Sequence, residues 1–190
     1  MKRESVALLL HPFKNALMPR DELWTAVDAF AAAFAGISDS YPNMRWNLVL
    51  PGYILELIDP LLLQKFRDLH KRGGLEWLTT GYTEPFLSLS PPSMSRANIG
   101  YGVDVTTRLT GMQPTGYVPP FSNWDPSLTE RLCDAGFNYA VLSQALFPSE
   151  TRGYGGSWVT EHAGTSITLF PTHMITPTSV PPDLIAWLDN

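Results

Sequence analysis

The chain has 190 residues, of which 44% are hydrophobic and 16% charged, and it carries a formal net charge of −5. That is long enough to bury a core as a single domain spanning 1–190. An acidic balance with no basic stripe excludes nucleic acid and anionic membrane surfaces as expected partners.

Ser5 to Leu10 is a continuous apolar run and reads as a buried strand. It is too short for the hydrophobic region of a secretion signal, and no small-residue cleavage site follows, so a cytoplasmic protein is expected. Asp21 to Phe34 places Leu23, Trp24, Val27, Phe30, Ala31 and Phe34 at helical spacing, with Gly36 as the expected stop. "RWNLVL" (45–50) predicts a second strand. "DPLLLQKFRDLHKRGG" predicts a helix with Pro60 near its start, basic residues in its last turn and Gly73 beyond it. "LEWLTT" (75–80) is the third predicted strand, and a less regular helix is expected from Ser93 to Leu109, weakened by Gly100 and Gly102 at about 1 kcal/mol each relative to Ala.

A fourth strand, Thr115 to Val118, runs into a proline-rich corner, Pro119 to Trp124. Asp125 and Pro126 stand where a helix cap and first turn are expected. That helix carries Leu128, Leu132 and Ala135 on one face and stops at Gly136. "NYAVLS" (138–143) is the fifth strand, "ETRGYGGSW" a loop or hairpin tip, "SITLFP" (166–171) the sixth strand, and "PPDLIAWLD" a terminal helix. Buried strands separated by helices predict an α/β fold with a mainly parallel sheet and right-handed crossovers, and six such strands make most of a barrel.

Ligand sites in such sheets lie beyond the carboxyl ends of the strands. Those ends carry His11 and Pro12, Pro51 and Gly52, "TGYTEP" with Glu84, the proline-rich corner, Ser143 with Gln144, and His173. His11, one carboxylate and several aromatic rings form an inventory suited to sugars, and the spacing offers no metal-ligand set. The composition includes six Trp, seven Tyr and nine Phe, which suit stacking on flat ligands as well as a core. No cofactor is expected. On the residues alone, His11 reads as a strand-end histidine satisfied by backbone groups, Glu84 as a solvated or turn-capping carboxylate as readily as a pocket residue, and Trp124 as packing. His70, His162 and His173 read as structural. The lone Cys133 has no partner for an internal disulfide and reads as a small buried residue.

"LLLHPF", "MRWNLVLPGYILE", "KRGGLEWLTTGYTEPFLSLSP", "TGYVPPFSNWDPSLTERLCDAGFNYAVLSQALF" and "SITLFP" resemble, in order and spacing, the N-terminal barrel of glycoside hydrolase family 57, with the nearest likeness to its 4-α-glucanotransferases and amylases. The resemblance implies an incomplete (β/α)7-type barrel of the glycoside hydrolase and deacetylase superfamily, acting on α-1,4-glucans by a retaining mechanism. It implies substrate-binding roles for His11, Glu84 and Trp124, although the Gln that usually separates that histidine from Pro is missing. The family's nucleophilic Glu corresponds to Phe121, and the resemblance places the general acid on a later strand, beyond Asn190. A retaining glycosidase needs two carboxylates roughly 5–5.5 Å apart. The expectation is therefore a catalytically impaired member whose cleft still binds an oligosaccharide through His11, Glu84, Phe121 and Trp124. The alternative is a fragment or subunit of a split enzyme. A polysaccharide deacetylase-like reading is weaker, since the first strand offers no Asp, no histidine pair follows the third, and Val118 stands where that family's motif has an arginine. With a seventh strand lacking, a homodimer or a complementing chain is expected to cover the open side.

Overall fold

Residues 8–10, 20–148 and 156–172 are described by the structure, a computed structural model. A seven-stranded sheet has the order β1-β2-β3-β4-β5-β7-β6. Strands β1 (Leu8–Leu10), β2 (Trp46–Val49), β3 (Leu75–Thr79), β4 (Gly116–Tyr117), β5 (Tyr139–Ser143) and β7 (Thr165–Thr172) are parallel to their neighbours in that series. The parallel strands follow chain order without reversing direction, which is the wall of an incomplete barrel rather than a doubly wound sheet. Their carboxyl ends consequently share one rim.

The predicted sixth strand corresponds to β7, but a further strand, β6 (Trp158–His162), pairs antiparallel with it at the outer edge. The sequence predicts a loop or hairpin tip up to Trp158 and no strand between it and residue 166. The pattern of β6 explains the miss: four of its five side chains are polar or aromatic at an edge where one face is solvated, so no apolar run marks it. The β6–β7 turn is made by Ala163 and Gly164, both at positive φ.

Two apolar clusters clothe the helix side of the sheet. Helix α1 (Arg20–Ser40) and α3 (Pro60–Lys71) set Val27, Ala31, Phe34, Leu63, Phe66 and Leu69 against Trp46, Leu48, Leu75 and Trp77. The Phe34 ring meets Phe66 at 5.1 Å and Trp46 at 5.7 Å, edge to face. Gly36 does not end α1 as expected. The helix continues because Ala35 and Ser38 still face the core, with the Ser38 hydroxyl donating to the Ala35 carbonyl, so tertiary burial outweighs the glycine penalty. Asp59 caps α3, its carboxylate accepting from the Leu61 and Leu62 amides.

Helix α4 (Pro92–Thr110) is regular, ending at Gly111 in the left-handed conformation. With α5 (Leu128–Asp134) it packs Ile99, Leu128 and Leu132 over Tyr117, Ala140, Leu142 and Leu169. Helix α5 begins two residues later than expected, and Asp125 caps the turn before it by accepting from the Ser127 amide at 2.9 Å. A four-residue helix, α2 (Gly52–Leu55), follows β2 and was not legible in the sequence, because one turn is too short to show a period. On the other face of the sheet, Val49, Leu78 and Val118 form a small cluster flanked by Tyr139 and Val141. The predicted terminal helix and His173 lie outside the described residues. Among the described residues no helix is long and apolar enough to cross a membrane.

Candidate functional site

The loop leaving β3 is clamped residue by residue. The buried Thr79 hydroxyl accepts from the Gly81 amide at 3.0 Å, and Gly81 turns the chain at φ +96°, a conformation open to glycine. The Gly52 amide donates to the Gly81 carbonyl at 2.9 Å, the Tyr53 amide to the Tyr82 carbonyl at 3.1 Å, and the Tyr82 amide to the Asn98 carbonyl at 3.0 Å. The Asn98 side-chain amide donates to the Thr83 hydroxyl at 2.6 Å. Gly102 of α4 makes this approach feasible, since a Cβ there would lie 2.5 Å from the Tyr82 nitrogen. The glycine that weakened the helix prediction is thus the contact that lets the helix press on the loop.

Glu84 follows this clamp, half-buried at the rim. Its charge reaches the phenols of Tyr53 and Tyr117. Both are pushed well above the ordinary value of 10.0, first by burial and then by that carboxylate. The Tyr117 hydroxyl donates to the Thr80 carbonyl at 2.9 Å, while the fully buried Thr80 hydroxyl makes no hydrogen bond among the described residues. An unpaired buried hydroxyl four residues before a carboxylate is a cost that packing alone does not require.

The proline-rich corner lies next along the rim. Pro120, Phe121 and Ser122 form a tight turn in which Phe121 (φ 54°) and Ser122 (φ 54°) are both left-handed. Two successive non-glycine residues in that region cost about 1–2 kcal/mol each. The turn is held by the Ser122 amide donating to Pro119 and the Asn123 amide to Pro120, each at 3.0 Å. Cross-links fix it to both neighbouring loops. The Ser122 hydroxyl accepts from the Ser143 amide at 2.9 Å, and the Ser88 hydroxyl donates to the Asn123 side-chain carbonyl. The turn holds Phe121 out from the rim, 79% exposed, with its ring 5.4 Å from that of Phe86 and tilted 30° to it.

Of the residues singled out in the sequence, Glu84 and Phe121 are therefore brought to adjacent loops of one rim. Trp124 is half-buried and packs against the second core cluster, and His11 lies outside the described residues. Phe86 was missed, and the signal for it was its position two residues after Glu84 in the same strand-end loop. Ser122 offers its oxygen to a backbone amide, and no hydrogen bond from it to a base is seen among the described residues. Other carboxylates are committed elsewhere. Glu76, early in β3 and near the opposite rim, accepts from the Tyr139 and Thr115 hydroxyls, each at 2.7 Å. Glu56 holds Arg108 and the Tyr82 hydroxyl. Among the described residues no three His, Cys, Asp or Glu side chains converge as a metal site would require. A cavity of about 380 Å³ lies between the carboxyl-terminal ends of α1 and α3, lined by Asp39, Lys65, Asp68 and Arg72 among others. Those helix ends lead into the starts of β2 and β3, so the cavity sits at the rim opposite Glu84. The rim arrangement can accept hydroxyl hydrogen bonds and stack a flat ring, and it lacks a pair of facing carboxylates among the described residues.

The 4-alpha-glucanotransferase of Thermococcus litoralis is 31% identical over 144 residues, which are 73% of this chain and 22% of that enzyme. Its crystal structure matches 87% of this chain and 28% of its own with a TM-score of 0.71 and 26% identity. Alpha-amylase 1 of Dictyoglomus thermophilum is 24% identical over 79% of this chain and 23% of its own length. The chain thus spans about a quarter of the relatives it matches. The model of glycosyl hydrolase family 57 matches residues 6–183, and with the rim geometry and these relatives it places the chain in that family, related to α-glucan hydrolases and glucanotransferases.

Proposed function

We propose that residues 1–190 form one barrel domain that binds α-glucan and is catalytically silent. The observation that carries the reading is the strained corner: the position equated with the family's nucleophile is Phe121, an exposed ring beside Phe86 and one loop from Glu84. Glu84 would accept from sugar hydroxyls, the Phe121–Phe86 pair would stack on a pyranose face, and His11 and Trp124 would complete the cleft. A phenyl ring cannot form a glycosyl intermediate, and Glu84 alone would leave the leaving oxygen without an acid or the anomeric carbon without a nucleophile. Binding through a few hydrogen bonds and one or two stacked rings would be weaker than about 1 μM.

The test is a calorimetric titration with maltooligosaccharides beside a reducing-sugar assay. Saturable binding with no sugar released above a blank supports the reading. Turnover, or a trapped glycosyl-enzyme intermediate, refutes it.

A second reading is a subunit or fragment of a split α-glucan-processing enzyme, with the acid-bearing strand supplied by another polypeptide. The outer strands β1 and β6 favour it, since neither has a strand on its outer side among the described residues and a further strand could pair there. Activity that appears only when a second purified chain is added would establish it. In either reading the open side of the barrel would be covered by a second copy or by that complementing chain, and the site of action would be the cytoplasm. A deacetylase-like activity has less support, because the rim lacks a metal-binding cluster among the described residues and Val118 replaces the arginine of that motif.

A further inference from the structure

Three tyrosines that the cleft reading does not use lie in contact beside the loop that bears Glu84. Tyr53 packs against the first core cluster with its hydroxyl buried. Its ring stands edge to face with Tyr82 at 6.4 Å, and Tyr82 lies 4.4 Å from Tyr101 of α4. The middle ring is seated deliberately. Tyr82 is held by backbone hydrogen bonds on both sides, and its ring covers Gly52, where a Cβ would come within 2.8 Å of Cδ2. Its hydroxyl donates to Glu56 Oε2 at 3.2 Å, and Glu56 Oε1 accepts from Arg108 at 2.9 Å. Tyr101 remains 50% exposed.

A tyrosine that only packs a helix against a sheet buries its ring, as Tyr117 does here. Tyr82 in part and Tyr101 by half instead keep surface between α2 and α4, backed by the partly buried Tyr53 and beside the Glu56–Arg108 ion pair. Aromatic faces with adjoining charged hydrogen-bonding groups match the alternating apolar faces and hydroxyls of a sugar chain, and rings already fixed lose little entropy on binding. We propose that Tyr82 and Tyr101, backed by Tyr53 and bordered by Glu56 and Arg108, form an outer binding track for the part of an α-glucan chain that extends beyond the Glu84 cleft. The inference rests on the α-glucan reading of that cleft and adds to it a preference for longer chains.

The experiment compares binding of maltotriose and maltoheptaose by calorimetry for the native chain, Tyr101→Ala, Tyr101→Phe and Glu84→Gln. Tyr101 is surface-exposed in a helix interior, so alanine there preserves the fold, which circular dichroism verifies. The track predicts that Tyr101→Ala weakens maltoheptaose by about fivefold and leaves maltotriose unchanged. Tyr101→Phe restores most of the loss, and Glu84→Gln weakens both sugars. Equal affinity of native and Tyr101→Ala for maltoheptaose, or an equal loss for both sugars, overturns the track while the cleft stands. A native chain that binds neither sugar overturns the cleft reading and the track with it.

Discussion

Single side chains carry conflicting demands at the rim, and the conflicts can be measured. Phe121 pays backbone strain to stand exposed. Phe121→Gly should therefore stabilise the fold by about 1 kcal/mol in denaturant unfolding while abolishing most oligosaccharide binding, a trade expected where strain serves a ligand. Stability and binding falling together would mean that the ring is structural. Phe121→Glu should release no reducing sugar above a blank, because Glu84 matches a substrate-contacting residue of the family rather than its general acid, and the leaving oxygen would stay unprotonated. Thr80 makes the converse case. Its buried hydroxyl, unpaired among the described residues, predicts that Thr80→Val melts no lower than the native chain and up to about 1 kcal/mol more stably. The tyrosines set an alkaline limit. The phenol of Tyr117 is held above its ordinary value of 10.0 in the folded chain, so it is protonated in both states below that pH. Above it the unfolded chain ionises first and stability falls. Tyr117→Phe should be less stable near neutrality by about 1 kcal/mol, through loss of the bond to Thr80, and should lose less stability as pH rises past 10.

At the level of elements, two glycines two residues apart in α4 should behave oppositely. Nothing lies within 4 Å of a Cβ at Gly100, so Gly100→Ala should stabilise by about 1 kcal/mol. A Cβ at Gly102 meets backbone of the loop bearing Glu84, so Gly102→Ala should cost about 2 kcal/mol and displace that loop. Urea unfolding of the two variants decides it, and equal effects would remove Gly102 as the seat of the loop. The sequence made the existence of α4 legible, since its apolar spacing survives both glycines, but their different roles depend on what crosses the helix and leave no local mark. The parallel strands were legible as apolar runs bounded by turn residues. Strand β6 was not, because an edge strand with a solvated face needs no such run, and α1 outlasted Gly36 because Ala35 and Ser38 are buried by tertiary contacts. At the rim, Glu84 and Phe121 were legible from their places after strands and from the family pattern. Phe86 and the Tyr53–Tyr82–Tyr101 group emerge only when two loops and two helices are brought together.

For the molecule as a whole, the sheet asks more of its surroundings than a closed barrel would. Its outer strands β1 and β6 do not pair with each other, and the face carrying Val49, Leu78, Val118 and Val141 buries few side chains among the described residues. Self-association that buries this face is the expected outcome, read as a mass that rises with concentration in light scattering. A monomer at all concentrations with no binding of an apolar dye would show that the chain covers the face itself. The central claim is that an enzyme fold here binds α-glucan without cleaving it, and one nitrogen-edited NMR titration with maltoheptaose tests it directly. The account predicts fast-exchange shifts concentrated at residues 81–86 and 119–124 and at Tyr101, saturating above micromolar sugar, while the anomeric signals of the sugar stay constant over days. Unmoved amides at millimolar sugar in a folded sample, or new reducing-end signals growing in the tube, would contradict it.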